Sequence, residues 1–236
     1  MRMKNKNVVL KKTALTVIVT ALTLLCLALF GTRNYYSGSA VILAEALALF
    51  FMSFEKKKTK TRELTALAVM VAISVASRAA FFMLPQVKPM CAIVIISAVA
   101  FGSEAGFLTG ATSIFLSNFI FGQGPWTPFQ MVGMGLCGLL CGLILKKEKR
   151  RKSRIFMSLI GGGACFVIYG FFADINSALM MWSGNSVNTL LAVFVSGIPF
   201  NLIHALTTGV ILFTAGKPAV EMMDRIKEKY GIFIKE

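Results

Sequence analysis

Acidic side chains are scarce in this chain. Its 236 residues hold ten Asp and Glu against 25 Lys and Arg, and charged residues make up only 15%. Soluble domains carry charge at roughly 25% of positions, so a water-facing globular surface is excluded. Histidine occurs once, as His204, and a multi-histidine metal centre is excluded with it. The chain has no Gly-rich phosphate loop, no His-Glu metal motif and no Ser/His/Asp set. We therefore expect no enzyme, no ATPase, no metal site and no resident cofactor on this chain. Cysteine is sparse as well. Cys26, Cys91, Cys137, Cys141 and Cys165 all sit in apolar runs, without the neighbouring His or carboxylate that a metal site needs, and read as small packing residues. A basic opening leads into an apolar run with no small-residue cleavage pattern, which predicts an uncleaved helix.

What the chain has in abundance is apolar length. Mean hydropathy is +0.74 and 56% of residues are hydrophobic. A spanning helix needs about 20 mostly apolar residues, and about eight such segments are present, some of them short. The runs are continuous rather than alternating, so they predict helices and not a barrel. The expected fold is an all-α polytopic membrane protein. Spans are predicted at 13–31 and 39–54, at 64–84 and 90–101, from the 102–104 turn to about 119, and at 128–145, 155–172 and 189–215. Between them lie a basic linker at 55–63, a rigid proline loop at 85–89 and a dense basic loop at 146–154. An outer loop holds Asp174, Asn176, Trp182 and Asn185. Three segments follow from this: residues 1–60 with two N-terminal helices, 61–216 as the functional bundle, and 217–236 as a basic tail.

The net charge of +15 points to lipid rather than nucleic acid. Lys and Arg gather at 2–12, 56–62, 146–154 and 217–235, while the intervening loops hold at most one each. This is the positive-inside pattern. It predicts a multi-pass protein of the cell membrane with both termini cytoplasmic, its basic loops near anionic head groups. Glu45 is the odd carboxylate within a span, read as neutral or snorkelling in a short helix.

Residues 118–128 form a polar loop rich in Gly, Pro, Gln and Trp between two apolar spans. An integral membrane protein has few other places to hold a polar solute. Asn118, Gln123, Trp126 and Gln130 offer amides and a flat aromatic face, a set suited to a neutral, partly planar ligand. Arg78 lies in the outer third of its span, where a guanidinium is costly unless paired or open to water. Asp174 is a candidate partner, and a solute group is another. Trp182, beside Met180 and Met181, is a candidate opposing wall. Asn201, His204 and Thr208 share one helix face at i, i+3 and i+7, near a bend expected at Pro199. Ala68, Ala72 and Ala76 recur every four residues, widened by Ala66 and Ser74. Gly102, Gly106 and Gly110 form a second small-residue strip, and Gly138 and Gly142 a third. Helices approach closely only along such strips.

Several of these segments resemble a known family. Arg78 with Pro85 and Pro89, the run 92–96, Phe101-Gly102 and Gly106-Phe107-Leu108-Thr109-Gly110 are similar to the substrate-binding S components of energy-coupling factor (ECF) vitamin transporters. The most specific stretch is Ser117-Asn118-Phe119 with 121–128 and Gln130-Met131, which looks most like the cobalamin-uptake branch. The resemblance covers about 61–215, the last six spans. The first two spans depart from the usual six-helix pattern. It implies a six-helix bundle that binds a vitamin near the outer face and docks on a transmembrane coupling subunit driven by two ATPases. Small residues on the first helix of the family contact that subunit, and Ala68, Ala72 and Ala76 match them. Outer loops and helix ends build the solute site, which maps onto Arg78, Asn118, Gln123, Trp126 and residues 174–185.

The leading expectation is thus capture of cobalamin or a related corrinoid. The alternatives are another vitamin (flavin, thiamine, folate or a nucleobase-like compound), a non-transporting membrane scaffold, and a small membrane enzyme using His204 and Asp174.

Overall fold

The computed structural model describes residues 61–151, 153–181 and 187–233, together with Ala21. The two N-terminal spans, Glu45, Cys26, Trp182 and Asn185 lie outside them. Seven helical rods make up these residues, and no strand occurs among them. We label the helices α1 (Thr61–Ala80), α2 (Met90–Phe101), α3 (Ser103–Phe121), α4 (Trp126–Ile144), α5 (Glu148–Arg151), α6 (Arg154–Ala164), α7 (Gly170–Met181), α8 (Val187–Ile211) and α9 (Lys217–Tyr230). A π-helical turn, Cys165–Tyr169, fuses α6 to α7, and another, Leu212–Gly216, fuses α8 to α9.

Four rods are long and apolar enough to cross a membrane: Thr61–Ala80, Trp126–Ile144, Arg154–Ala178 and Leu190–Tyr230. The count among the described residues is therefore smaller than the six expected there. The 12-residue α2 rises only about 18 Å, short of a hydrocarbon core about 30 Å thick. It is instead a core helix, with Met90, Cys91, Ala92, Val94 and Ile95 at 1% exposure or less. It packs against α1, α3, α4, α8 and α9. Its side chains are apolar all round except for Ser97, whose hydroxyl bonds that of Thr109 at 3.0 Å, which suits a helix enclosed on every side. The outer shell is apolar too: Ile120, Leu159 and Val167 are 65%, 69% and 65% exposed, a lipid-facing surface rather than a solvated one.

Gly102 ends α2 and starts α3 at φ 113° and ψ 163°, a conformation open essentially to glycine alone. The turn expected at 102–104 is therefore real and tight. Further along, α3 lies directly on α4. A Cβ on Gly138 would stand 2.5 Å from the Gly106 carbonyl oxygen, and one on Gly110 would stand 2.6 Å from that of Met134. The glycine strips are thus the seam of this helix pair.

Two boundaries differ from expectation. The rod starting at Arg154 runs to Met181, so Asp174 and Asn176 are helical rather than in a loop. The apolar side chains of 175–181 carry the helix past the point where polar residues suggested a loop. At the other boundary, α8 continues through its π-helical turn into the basic tail without a break. Its helix α9 buries Val220, while Ile232 is buried just beyond it. The Lys227 Nζ donates to the Ala100 carbonyl at 2.7 Å, and the Phe233 N–H to Glu63 Oε1 at 2.7 Å. Arg151 donates to both Asp224 oxygens at 2.7 and 2.8 Å. All the basic segments described cluster at this end of the bundle.

The seam can be tested directly. Gly138→Ala should destabilise the detergent-solubilised protein by about 1–3 kcal/mol, because the methyl meets backbone that cannot yield. Gly163→Ala, on α6 with nothing within 4 Å of its Cβ position, should be neutral or gain up to about 1 kcal/mol from helix propensity. Equal melting temperatures for the two variants would remove the seam from the account.

Candidate solute-binding site

At the end of the bundle away from the basic segments, three helix termini converge. Arg78 occupies the last turn of α1. Ser117, Asn118 and Phe121 lie in the last turn of α3, and Thr127 and Gln130 in the first turns of α4. The chain reverses between α3 and α4 through Gly122 at φ 105°. One terminus of each helix leaves backbone groups unsatisfied, so polar side chains gather here.

They form one connected network. Arg78 Nη1 donates to Ser117 Oγ at 2.6 Å and to Asn118 Oδ1 at 2.7 Å. Asn118 Nδ2 donates to Thr127 Oγ1 at 3.0 Å and to Gln130 Oε1 at 3.2 Å. Thr127 Oγ1 also accepts from the Gly124 N–H at 3.3 Å and donates to Gln123 Oε1 at 2.9 Å. Gln123 Nε2 closes the chain on the Phe115 carbonyl at 3.0 Å. Asn118 is 0% exposed with its oxygen and both amide hydrogens engaged. A fully satisfied buried network is rigid. Asn118 therefore holds Arg78, and the polar groups that the network leaves unused are the remaining guanidinium N–H donors and the Gln130 amide nitrogen.

Aromatic surfaces flank these donors. The Phe121 ring lies 4.9 Å from the Arg78 guanidinium carbon and stacks on Phe82 with centroids 5.0 Å apart. Trp126 is partly exposed. Its indole covers Gly124, and its Nε1 donates to the Gly122 carbonyl at 3.4 Å, so the ring is held against its own loop. On the far side, Tyr169 lies within electrostatic reach of Arg78 and meets His204 edge-on at 5.0 Å.

The structure thus brings Arg78, Asn118, Gln123 and Gln130 together, with Trp126 at the rim. Asp174 is corrected: it accepts from Asn201 Nδ2 at 2.8 Å and does not pair with Arg78. The Asp174–Asn201 pair and His204 are separate features of α7 and α8. His204 Nε2 and Thr208 Oγ1 are buried without a hydrogen-bond partner among the described residues. Sequence reasoning missed Ser117, Thr127, Phe121 and Tyr169 as site residues. It also passed over Lys88, whose amino group donates to Gln86 Oε1 at 3.2 Å. Burial and the Arg78 charge push Lys88 down to about 8. The signal was available, since Lys88 is the single cation of an otherwise uncharged loop.

A second surface lies on the flank of α1. Ala68, Ala72 and Ala76 are exposed and line an apolar groove of about 490 Å³ together with Leu116 and Ile120 of α3.

The chain matches the family model described as ECF-type riboflavin transporter, S component, over residues 58–218. No curated protein and no solved structure matches it. The match spans more than half of the chain and takes in both the polar network and the alanine groove. Its description names riboflavin, and the cobalamin branch suggested by the 117–131 stretch receives no support from it. The chain belongs to the ECF-type riboflavin transporter S-component family.

Proposed function

We propose that this chain captures a flavin at the outer face of the membrane for an ATP-driven ECF importer. The observation that carries the reading is the network of Arg78, Asn118 and Gln130 beside the stacked Phe82 and Phe121. A flavin ring is flat, with apolar faces and an edge of alternating donors and acceptors. Stacked aromatics suit its faces, and fixed amide and guanidinium donors suit its edge. The corrinoid expectation rested on loop resemblance alone and gives way to the flavin alternative, which the family match favours.

Orientation follows from charge. The 146–154 loop and α9 lie at the opposite end from the network, and basic ends face the cytoplasm. The solute site then opens outward and both termini lie inside. The chain carries no nucleotide-binding motif, so the work of release falls to partners, a transmembrane coupling subunit with two ATPases. The groove of Ala68, Ala72 and Ala76 is the surface we assign to that coupling subunit. Small side chains permit the close helix contact that association in lipid depends on. We read the chain as a binding subunit rather than an enzyme. Asp174 is bonded to Asn201 and His204 meets Tyr169 edge-on, so neither supports the other in acid–base work.

Two measurements test this. Riboflavin should raise the melting temperature of the purified chain in detergent by mass action, and Phe121→Ala should weaken its binding about tenfold through lost stacking. A shift with cobalamin and none with riboflavin would restore the corrinoid reading. A shift with thiamine or folate alone would change the vitamin and keep the class. Separately, Ala72→Leu should abolish co-purification with the coupling subunit while vitamin binding persists. Normal assembly and transport by that variant would remove the groove from the docking account.

A further inference from the structure

Among the described residues α1 packs chiefly against α2 and α3, and its outward flank is left as an open groove. Ala68, Ala72 and Ala76 line it with Leu116 and Ile120, around about 490 Å³. Thr112 lines it too, and its hydroxyl is buried with no hydrogen-bond partner among the described residues, an omission that native structures rarely leave. Thr112 stands six residues before Asn118 on α3, and Ala72 six before Arg78 on α1. The Arg78–Asn118 bond therefore sets Thr112 level with Ala72, in the middle of the groove.

Only residues 55–60 separate α1 from the segment 39–54, which lies outside the described residues and reads in sequence as an apolar span. Four of those six linker residues are lysines, which places the linker at the basic end, where α1 begins. Six residues extend about 20 Å at most, and packed helix axes lie about 8–10 Å apart. Helix connections this short join antiparallel neighbours. The alanines then choose the flank. Ala40, Ala44 and Ala48 recur every four residues in the segment, as Ala68, Ala72 and Ala76 do on α1. Ala48 and Ala68 lie ten residues either side of Lys58, Ala44 and Ala72 fourteen, and Ala40 and Ala76 eighteen. A hairpin that turns at Lys58 sets each of these pairs at one height. The other exposed flank of α1 presents Val69 and Ile73, 49% and 45% exposed, whose branched side chains hold a helix off.

We infer that residues 39–54 fill the α1 groove of their own chain, antiparallel to α1, and that a coupling helix has to displace them. Two level strips of methyl groups let the backbones approach closely. The middle pair, Ala44 and Ala72, then sits at the height of Thr112 and brings backbone carbonyls of the segment to its hydroxyl. A short tether holds the segment at an effective concentration on the order of millimolar, so weak contacts fill the groove and a tighter partner still enters. The occupancy rests on the groove and the register. The competition rests on the docking reading above.

Paired cysteines in the full chain, oxidised mildly in membranes and mapped by mass spectrometry of its peptides, test this. Ala44→Cys with Ala72→Cys should form an intramolecular disulfide, and so should Ala48→Cys with Ala68→Cys. Ala44→Cys with Ile73→Cys, on the other flank, should stay reduced. The oxidised Ala44→Cys, Ala72→Cys protein should lose co-purification with the coupling subunit and regain it on reduction. No disulfide at either alanine pair, or as much with Ile73→Cys, would overturn the occupancy and leave the docking reading standing. A disulfide between two chains, seen as a dimer on a non-reducing gel, would give the groove to a second copy and overturn it as well. If the intramolecular disulfide forms and the oxidised protein still co-purifies normally, the occupancy stands, and the docking reading falls together with the competition.

Discussion

The contact of α3 on α4 through bare backbone governs the rest of this structure. Gly106, Gly110 and Gly138 remove the side chains that would hold the two helices apart. Their closeness sets where α3 ends and α4 begins. Asn118 is thereby delivered within hydrogen-bond reach of Thr127 and Gln130, across the reversal at Gly122. With Asn118 pinned from one side, its oxygen has a fixed position from which to hold Arg78 on α1. Each step in this chain is a distance constraint that lipid cannot supply. Bilayer hydrocarbon offers no gain for pressing apolar helices together, so small residues and polar bonds must do it.

The second governing fact is the uneven distribution of charge. Described acids concentrate at the basic end, where Asp224 meets Arg151 and Glu63 accepts from the Phe233 backbone. Those contacts fasten α9 under the bundle. At the opposite end no carboxylate among the described residues pairs with Arg78 or Lys88, which are held by neutral amides and a hydroxyl. Neutral partners fix a guanidinium in place without cancelling its charge. The Phe121 ring lies over the Arg78 guanidinium and stacks on Phe82.

The two surfaces of the molecule are separate in kind. The network is polar, satisfied and rigid, which suits selection of a solute. The groove along α1 is apolar and lined by methyl groups, which suits a helix partner. Both use α1: its outward flank carries Ala68, Ala72 and Ala76, and its last turn carries Arg78. The alanine groove and the Arg78 network are therefore joined by one continuous helix.

The sequence by itself determined the membrane class, the helical content and the polarity of the two ends, because hydropathy and Lys/Arg placement are local quantities. It also marked the 118–130 stretch, since amides between apolar spans are conspicuous, and the Gly102 turn, since only glycine suits it. It misjudged 174–181 as a loop, and it read as a short span the 12-residue α2, which the bundle encloses. Whether a short apolar helix crosses the bilayer or is enclosed depends on its neighbours, and whether polar residues end a helix depends on what they meet. Only the tertiary structure decided which polar groups join. The sequence offered Asp174 to Arg78, and it meets Asn201 because α7 lies on α8. Ser117 and Asn118 reach Arg78 from a different helix, 39 and 40 residues away in sequence. Those approaches are set by packing across the whole bundle, and no local pattern of residues encodes them.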